Sequence, residues 1–389
     1  MKHRFWDVMF LGLIAAGLAA GLLRTLFLPK ELNYYENRYA EQMSALSGES
    51  WTDGSFQTQA EKALADQIPG AQRLKKTCHQ LISAVENKLL AAVFGGENAR
   101  YVNLDKMRLF DGYITYWKQE LSDCQPGFDA YIRKTNALIA AHPETEFYLY
   151  YVEKDTDIDF ETGEKLGAFE YLTDGLEIPE ENTACFRVDS FSEYAKLFYR
   201  TDHHWNADGS LLGYKQVLSM LKPEETPAEP LGGLHPVDTF SGLKVQSEDA
   251  ATYSETFSAY EYRYAPMRIR VNGAEADYGS QQAYLSGTYS YPVYYGNFYG
   301  GDEGEVIFDT GDTGRGNLLV LGDSYDNAIL KLLAGHFDRT YAVDLRYYET
   351  YMGQSFRLAD YLRTHDIDRV LLIGNVDYFL MAETFCPED

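Results

Sequence analysis

The chain has 389 residues, with 59 acidic against 34 basic side chains and a net charge of −25. Hydrophobic residues make up 45% and charged residues 24%, a globular composition with roughly two domain-equivalents of length, which excludes a disordered polymer. No cluster of Lys and Arg is present to release counterions from phosphates, so the balance excludes a nucleic-acid role and electrostatic docking on an anionic bilayer. The 32 tyrosines have two readings, aromatic platforms for sugars or ordinary sheet packing.

The first element is apolar. Val8 to Leu23 carries no charge, and the run continues past Arg24 to Leu28. At ~1.5 Å per residue this helix covers about 31 Å, a bilayer core with Arg24 at the interface. Lys2, His3 and Arg4 precede it, which predicts a cytoplasmic N-terminus and a body outside the cell membrane. A cleaved signal peptide competes, but Leu18-Ala19-Ala20 offers a poor cleavage site, so residues 1–30 read as an uncleaved, single-pass signal anchor. The four cysteines, Cys78, Cys124, Cys185 and Cys386, match no zinc spacing, and the sequence does not pair them.

Residues 31–99 have helical spacing. Phe56, Ala60, Ala63 and Leu64 precede Pro69, and Leu74, Cys78, Leu81, Ile82 and Val85 follow it, predicting a helical neck or two packed helices. From residue 100 apolar strands alternate with amphipathic helices. The pattern predicts a helix around Phe128–Ala141, strands at Phe147–Val152 and Phe186–Val188, and a strand at Leu318–Leu321 followed by a helix over Tyr325–Ala334. Beyond these it predicts a strand at Thr340–Val343, a helix near Phe356–Arg363 and a strand at Val370–Ile373. This alternation predicts an α/β fold, a parallel sheet with helices on both faces. Pro223–Leu234 reads as a linker, and residues of about 240–315 as a Tyr-rich β insertion with hairpin signals at Val271-Asn272-Gly273-Ala274 and Phe308-Asp309-Thr310-Gly311.

Two segments carry chemistry. In Asn317–Asn327 an apolar strand runs into Gly322-Asp323-Ser324, which places Ser324 at the C-terminal end of a parallel strand and near a helix N-terminus, where α/β folds bind ligands. The competing reading is that Asp323 or Ser324 caps the helix. A serine needs a base, and Asp202-His203-His204-Trp205 supplies one. In an extended segment Asp202 and His204 project to one side while His203 points away, so Asp202 can hold the tautomer that lets His204 take a proton from Ser324. A metal at the paired histidines lacks further ligands elsewhere in the sequence, and no cofactor is called for. Asp208 reads as the N-cap of the helix that follows.

Gly322-Asp323-Ser324 resembles the nucleophile block of the SGNH (GDSL) hydrolases, which have a flavodoxin-like sheet, and Asp202-His203-His204-Trp205 is similar to the signature of the DHHW family. That family resembles the alginate O-acetylation proteins AlgX and AlgJ, whose D-x-H-W segment likewise precedes the serine block. Asn37-Arg38 after the anchor and Asp344-Leu345-Arg346-Tyr347-Tyr348 extend the resemblance over most of the chain. The resemblance implies a permuted SGNH domain over 100–389, with Ser324 as nucleophile, His204 as base and Asp202 as orienting carboxylate. It also implies a Gly and an Asn as oxyanion donors, for which Gly296-Asn297 and Gly374-Asn375 are candidates, the backbone N–H of Ser324 being the safer donor. Trp205 and Arg346 are further candidates for the substrate side, with a structural Asp344–Arg346 ion pair as the alternative for Arg346. The implied activity is O-acetyl transfer or ester hydrolysis on a cell-surface glycan, with acetyl groups from a membrane-bound O-acyltransferase partner. A carbohydrate-binding or scaffold protein is the other class. Tyr284, Tyr289, Tyr291, Tyr294, Tyr295 and Tyr299 would then fold over the catalytic edge and stack on sugar rings, or pack on one another.

Overall fold

The structure, a computed structural model, describes residues 107–246, 254–289 and 293–387, preceded by 32–33, 38–43, 48–52, 54–67 and part of 9–27. It divides into two compact units, residues 1–102 with 243–253, and residues 103–242 with 254–389. In the first unit, Leu32–Asn33 pairs antiparallel with Arg38–Tyr39, and the helix Ser55–Gln67 follows a one-turn helix, Gly48–Thr52. Asp66 accepts the Glu41 N–H at 2.9 Å and ties the segment before the helix to its last turn. The second half of the neck, from Leu74 to Val85, lies outside the described residues, as do nine of the 21 residues of the Val8–Leu28 run. Among the described residues no helix is long and apolar enough to cross a membrane. Those of the run that are described are helical, and Phe10, Leu23 and Phe27 are exposed.

The second unit is built on an eight-stranded sheet. Its strands, in chain order, are β1 (Glu146–Val152), β2 (Thr183–Phe186), β3 (Arg268–Val271), β4 (Ala274–Glu275), β5 (Glu305–Asp309), β6 (Asn317–Leu321), β7 (Arg339–Val343) and β8 (Arg369–Gly374). Across the sheet they run β4-β3-β5-β7-β6-β8-β1-β2. From β7 to β2 neighbours are parallel, and from β4 to β7 antiparallel. Counted from β6, the parallel strands stand in the flavodoxin order 2-1-3-4-5, with the chain cut so that the fourth and fifth come first. The permutation is therefore a matter of connectivity, and the sheet is conventional.

Apolar side chains alternate to both faces, as a sheet covered by helices requires. Tyr148, Tyr150, Val320, Leu371 and Ile373 join one core, closed by α2 (Ala207–Leu221) and α4 (Leu330–Ala334). Phe147, Leu149, Tyr151, Leu319, Leu321 and Leu372 join the other, closed by α1 (Leu121–Ala141), α5 (Leu358–His365) and α6 (Val376–Leu380). A further short helix, α3 (Tyr295–Tyr299), belongs to the insertion.

The expected strands form within a few residues of their predicted places, while four local expectations change. Helix α1 starts at Leu121 and runs through Pro126 and Gly127, and glycine is required at 127 because a Cβ there would lie 2.8 Å from the Leu380 carbonyl oxygen. The predicted helix over Tyr325–Ala334 divides into a 3₁₀ turn, Asp326–Ala328, and the single turn of α4. Asn206 caps α2, accepting from the N–H groups of Asp208 and Gly209 at 3.0 Å, and Asp208 instead accepts from the Tyr260 hydroxyl. Asn272 and Gly273, at positive φ, make the predicted hairpin between β3 and β4. The signal at Phe308–Gly311 makes none, since β5 and β6 are separated by β7 and the Thr310 N–H bonds the Asp338 carbonyl. The insertion thus adds three antiparallel strands to one sheet edge, and its Glu255–Ala259 strand pairs with His235–Phe240.

Trp205 fills the space between α2 and the sheet. A Cβ at Gly213 would lie 2.5 Å from its ring, so the close approach requires glycine at that helix position. Gly213→Ala is therefore expected to lower stability by about 1–3 kcal/mol through overpacking, despite the ~1 kcal/mol that alanine gains over glycine in a helix. A thermal or urea unfolding midpoint at or above wild type would refute this packing account.

Candidate active site

β6 delivers Gly322-Asp323-Ser324 to the C-terminal edge of the sheet, and β8 delivers Asn375 beside it. This is the switch point of the doubly wound order, where chain connections leave in opposite directions and open a crevice. Asp326 Oδ2 packs so close to Gly322 that a Cβ there would lie 2.2 Å away, which forces glycine before the turn. Asp323 accepts the Tyr325 N–H at 3.1 Å and closes the turn that presents the half-buried Ser324. Because the break in the predicted helix leaves α4 starting at Leu330, no extended helix dipole points at Ser324.

The partner side chains arrive from 120 residues earlier. His204 Nε2 lies 2.7 Å from Ser324 Oγ, and His204 Nδ1 lies 2.6 Å from Asp202 Oδ1. The same Asp202 oxygen accepts the His204 N–H at 3.0 Å. A carboxylate only accepts, so it holds the proton on Nδ1 and leaves Nε2 to accept from the serine hydroxyl. Asp202 and His204 are 2% and 3% exposed, so little water competes for these bonds.

Two aromatic rings clamp the imidazole. Tyr295, from α3, stacks on His204 with centroids 3.8 Å apart and planes within 3°. His203 lies 3.9 Å from the same ring. Two rings this close to one imidazole occupy opposite faces, so His204 is sandwiched. His203 therefore does not point away as an extended chain would dictate. Residues 201–204 form a series of bends, and side-chain alternation does not apply there. The Tyr325 hydroxyl donates to the His203 carbonyl and fixes the bend.

The other expected site residues have different places. Trp205 is fully buried, packs on Phe186 and donates its Nε1–H to the Tyr295 hydroxyl at 2.9 Å. It therefore steadies Tyr295 from the core. Asn297 accepts the Tyr294 N–H at 2.7 Å and caps the α3 turn that contains Gly296, so its carbonyl oxygen serves the insertion. Asn375 caps α6 through the Asp377 N–H at 2.9 Å and reaches Asp323 at 3.4 Å, next to the nucleophile turn. Arg346 grips Asp344 at 2.6–3.1 Å and Asp302 at 3.1 Å, the ion-pair alternative. Burial alone would lower its pKa, but the bond to Asp344 and the charge of Asp302 hold it above the usual value. Tyr284, Tyr295 and Tyr299 are buried, leaving Tyr289 and Tyr294 of the expected platform partly exposed, and Tyr291 lies outside the described residues.

Behind the turn, a cavity of about 10 Å³, about one water in size, is lined by Asp302, Glu303, Asp323, Asp326 and Asp344. Burial, offset only partly by Arg346, raises Asp323 to about 6. Burial and then the Asp323 charge raise Asp326 well above the ordinary carboxylate value. The sequence shows no pattern that marks Asp302 or Asp326 for this region, because separate segments of the chain bring them together.

The fold and crevice define an α/β protein of the SGNH-like type. No family model matches the chain and no curated protein matches it in sequence. Among solved structures, Bacillus cereus PatB1 with a sulfonyl adduct is similar in fold, at 18% identity and a TM-score of 0.53, over 74% of this chain and 99% of that one. A DHHW family protein from Eubacterium siraeum matches at 19% identity and a TM-score of 0.49, covering 72% of this chain and 93% of that one. The O-acetyltransferase domain of Pseudomonas putida AlgJ matches at 13% and 0.39, covering 72% and 92%. The structural neighbours include a DHHW family protein and AlgJ.

The buried acids make a stability prediction. The folded state keeps a proton on Asp326 that the unfolded chain releases near ~3.9, so stability falls as pH rises from there through the raised folded value. Asp326→Asn abolishes this penalty. Its melting temperature is expected to exceed wild type at pH 8 and to converge with it near pH 4, and a difference independent of pH would contradict the assignment.

Proposed function

We propose that the protein is a membrane-anchored, extracytoplasmic serine acyl-transfer enzyme, an O-acetyltransferase or acetylesterase acting on a cell-surface polysaccharide. The observation that carries the reading is the continuous line Asp202–His204–Ser324, with bonds of 2.6 and 2.7 Å, at the C-terminal edge of a parallel sheet. Ser324 Oγ attacks the acetyl carbonyl as His204 Nε2 takes its proton, and Asp202 stabilises the imidazolium that results. The tetrahedral oxyanion is held by the backbone N–H of Ser324. Collapse expels the first alcohol, which takes the proton back from His204, and leaves an acetyl-serine. A second hydroxyl, from water or a sugar, then repeats the steps in reverse.

The stack supports the same chemistry. Tyr295 fixes the plane of the base and presents an aromatic face to the imidazolium. A sulfonyl adduct, as on Bacillus cereus PatB1, is what an activated nucleophile forms with a sulfonyl halide, which suggests the reagent for this chain. The Val8–Leu28 run is the proposed anchor, and it places the enzyme beside a membrane-bound O-acyltransferase partner as acetyl source. The −25 charge favours a neutral or weakly charged glycan over a strongly anionic one.

A sulfonyl fluoride is expected to modify wild type at Ser324 and to leave Ser324→Ala unmodified, by mass of the intact protein. His204→Ala should lower the labelling rate and the release of a chromogenic acetyl ester by ~10²–10⁴-fold, and His203→Ala far less. Equal labelling of wild type and Ser324→Ala, or none of either, would replace catalysis by a carbohydrate-binding or scaffold role.

Tyr295 separates positioning from mere packing. Tyr295→Phe keeps the stack and should retain most of the rate, whereas Tyr295→Leu should lose ~10²-fold, with an altered pH profile from the loosened base. The idea fails if both variants, folded by circular dichroism, keep the wild-type rate and profile.

A further inference from the structure

Three metal-ligand groups converge at the base, and only two of them serve the proposed reaction. Asp202, His203 and His204 each offer one ligand atom, all within 4.8 Å of one another. Asp202 Oδ1 lies 2.6 Å from His204 Nδ1 and 3.7 Å from His203 Nδ1. A tetrahedral zinc with bonds of about 2.1 Å places its ligand atoms about 3.4 Å apart, so these distances bracket the required value. Opening the first by under about 1 Å makes room for the ion. An imidazole pair with a carboxylate is a donor set that zinc favours, and three protein ligands leave its fourth position to water. The His203 side chain is 23% exposed while those of Asp202 and His204 are nearly covered, so the histidine outside the relay forms the outer side of the cluster.

We propose that Asp202, His203 and His204 form an inhibitory site for a divalent transition metal of the zinc type. The inference rests on the Ser324–His204–Asp202 reading and adds a regulator to it. The metal takes the Nδ1 lone pair of His204 after its proton leaves to solvent, and it takes the Asp202 oxygen that accepted that proton. The imidazole then carries a cation at Nδ1, its Nε2 becomes a poor base, and Ser324 loses its activation. His203 carries no proton in the relay but supplies the third ligand, so it decides whether the metal binds firmly. The chelating pair must come from this bend, because a regular strand would send the two rings to opposite sides.

The test uses the purified protein, stripped with a chelator and titrated with zinc chloride. Calorimetry is expected to show one site, and the sulfonyl fluoride labelling rate of Ser324 should fall about tenfold or more at saturation and recover with chelator. His203→Ala should lose about tenfold or more in zinc affinity, and its labelling rate, measured against its own metal-free rate, should resist inhibition. Wild type that neither binds nor is inhibited, or a His203→Ala protein that binds and is inhibited like wild type, overturns the proposal. If metal-free wild type is not labelled at Ser324, the catalytic reading fails, while the calorimetric comparison still decides the metal site.

Discussion

The structure depends on one imidazole held in a single plane with both nitrogens engaged. His204 bonds Asp202 through one ring nitrogen and Ser324 through the other. Because the residues around it form bends, no strand or helix fixes its orientation. Packing does so instead. Tyr295 and His203 close the two faces, Trp205 bonds the Tyr295 hydroxyl, and Gly209 and Gly213 make room for the Trp205 indole against α2. Burial keeps the Tyr295 hydroxyl protonated well past its ordinary range, so it remains a neutral partner for the indole N–H. A site residue placed by stacked rings is as well determined as one on a strand, because side chains in a close-packed interior have few alternatives.

Ser324 has a different support. Its turn sits at the end of the central strand and rests on a shell of carboxylates with Arg346 as the cation paired among them. Burying Asp323 and Asp326 together keeps at least part of that charge protonated, since two adjacent carboxylates out of water cannot both ionise cheaply. The acids give the turn its shape, Asp323 through the Tyr325 N–H and Asp326 through its contact with Gly322. The stability they cost is tolerated because it fixes Ser324 toward His204.

What could be read from the chain divides along these two supports. The strands were legible because runs such as Leu318–Leu321 and Phe147–Val152 are apolar on both faces, the mark of a covered parallel sheet. The pairing of Ser324 with His204 and Asp202 was legible through the Gly-Asp-Ser and Asp-His-His-Trp segments, each a local pattern. Local rules failed where tertiary contacts decide. Trp205 is a candidate for the substrate side through the family resemblance, yet its side chain is buried in the core beside Phe186. Asn297 and Arg346 carry the right chemistry for an oxyanion or a ligand, but Asn297 is spent on a cap and Arg346 on carboxylates that come from residues over 40 positions earlier as well as two. The 3₁₀ turn after Ser324 has no periodicity of its own and was absorbed into a helix.

The tyrosine excess has a physical explanation in this arrangement. His204 and Ser324 lie 120 residues apart in the chain, and the insertion lies between them. That insertion contributes antiparallel strands to the sheet edge, and such a three-strand extension needs covering side chains that pack well yet tolerate partial exposure, which tyrosine does. Tyr278 illustrates the consequence. It packs edge-on to Phe308 of β5 and hydrogen-bonds Asn327 at 2.6 Å, linking the new edge to the turn after the nucleophile. Tyr295 links the same insertion to the base. The insertion is thereby bonded to both halves of the site, so the geometry of Ser324 and His204 depends on a segment that contributes neither.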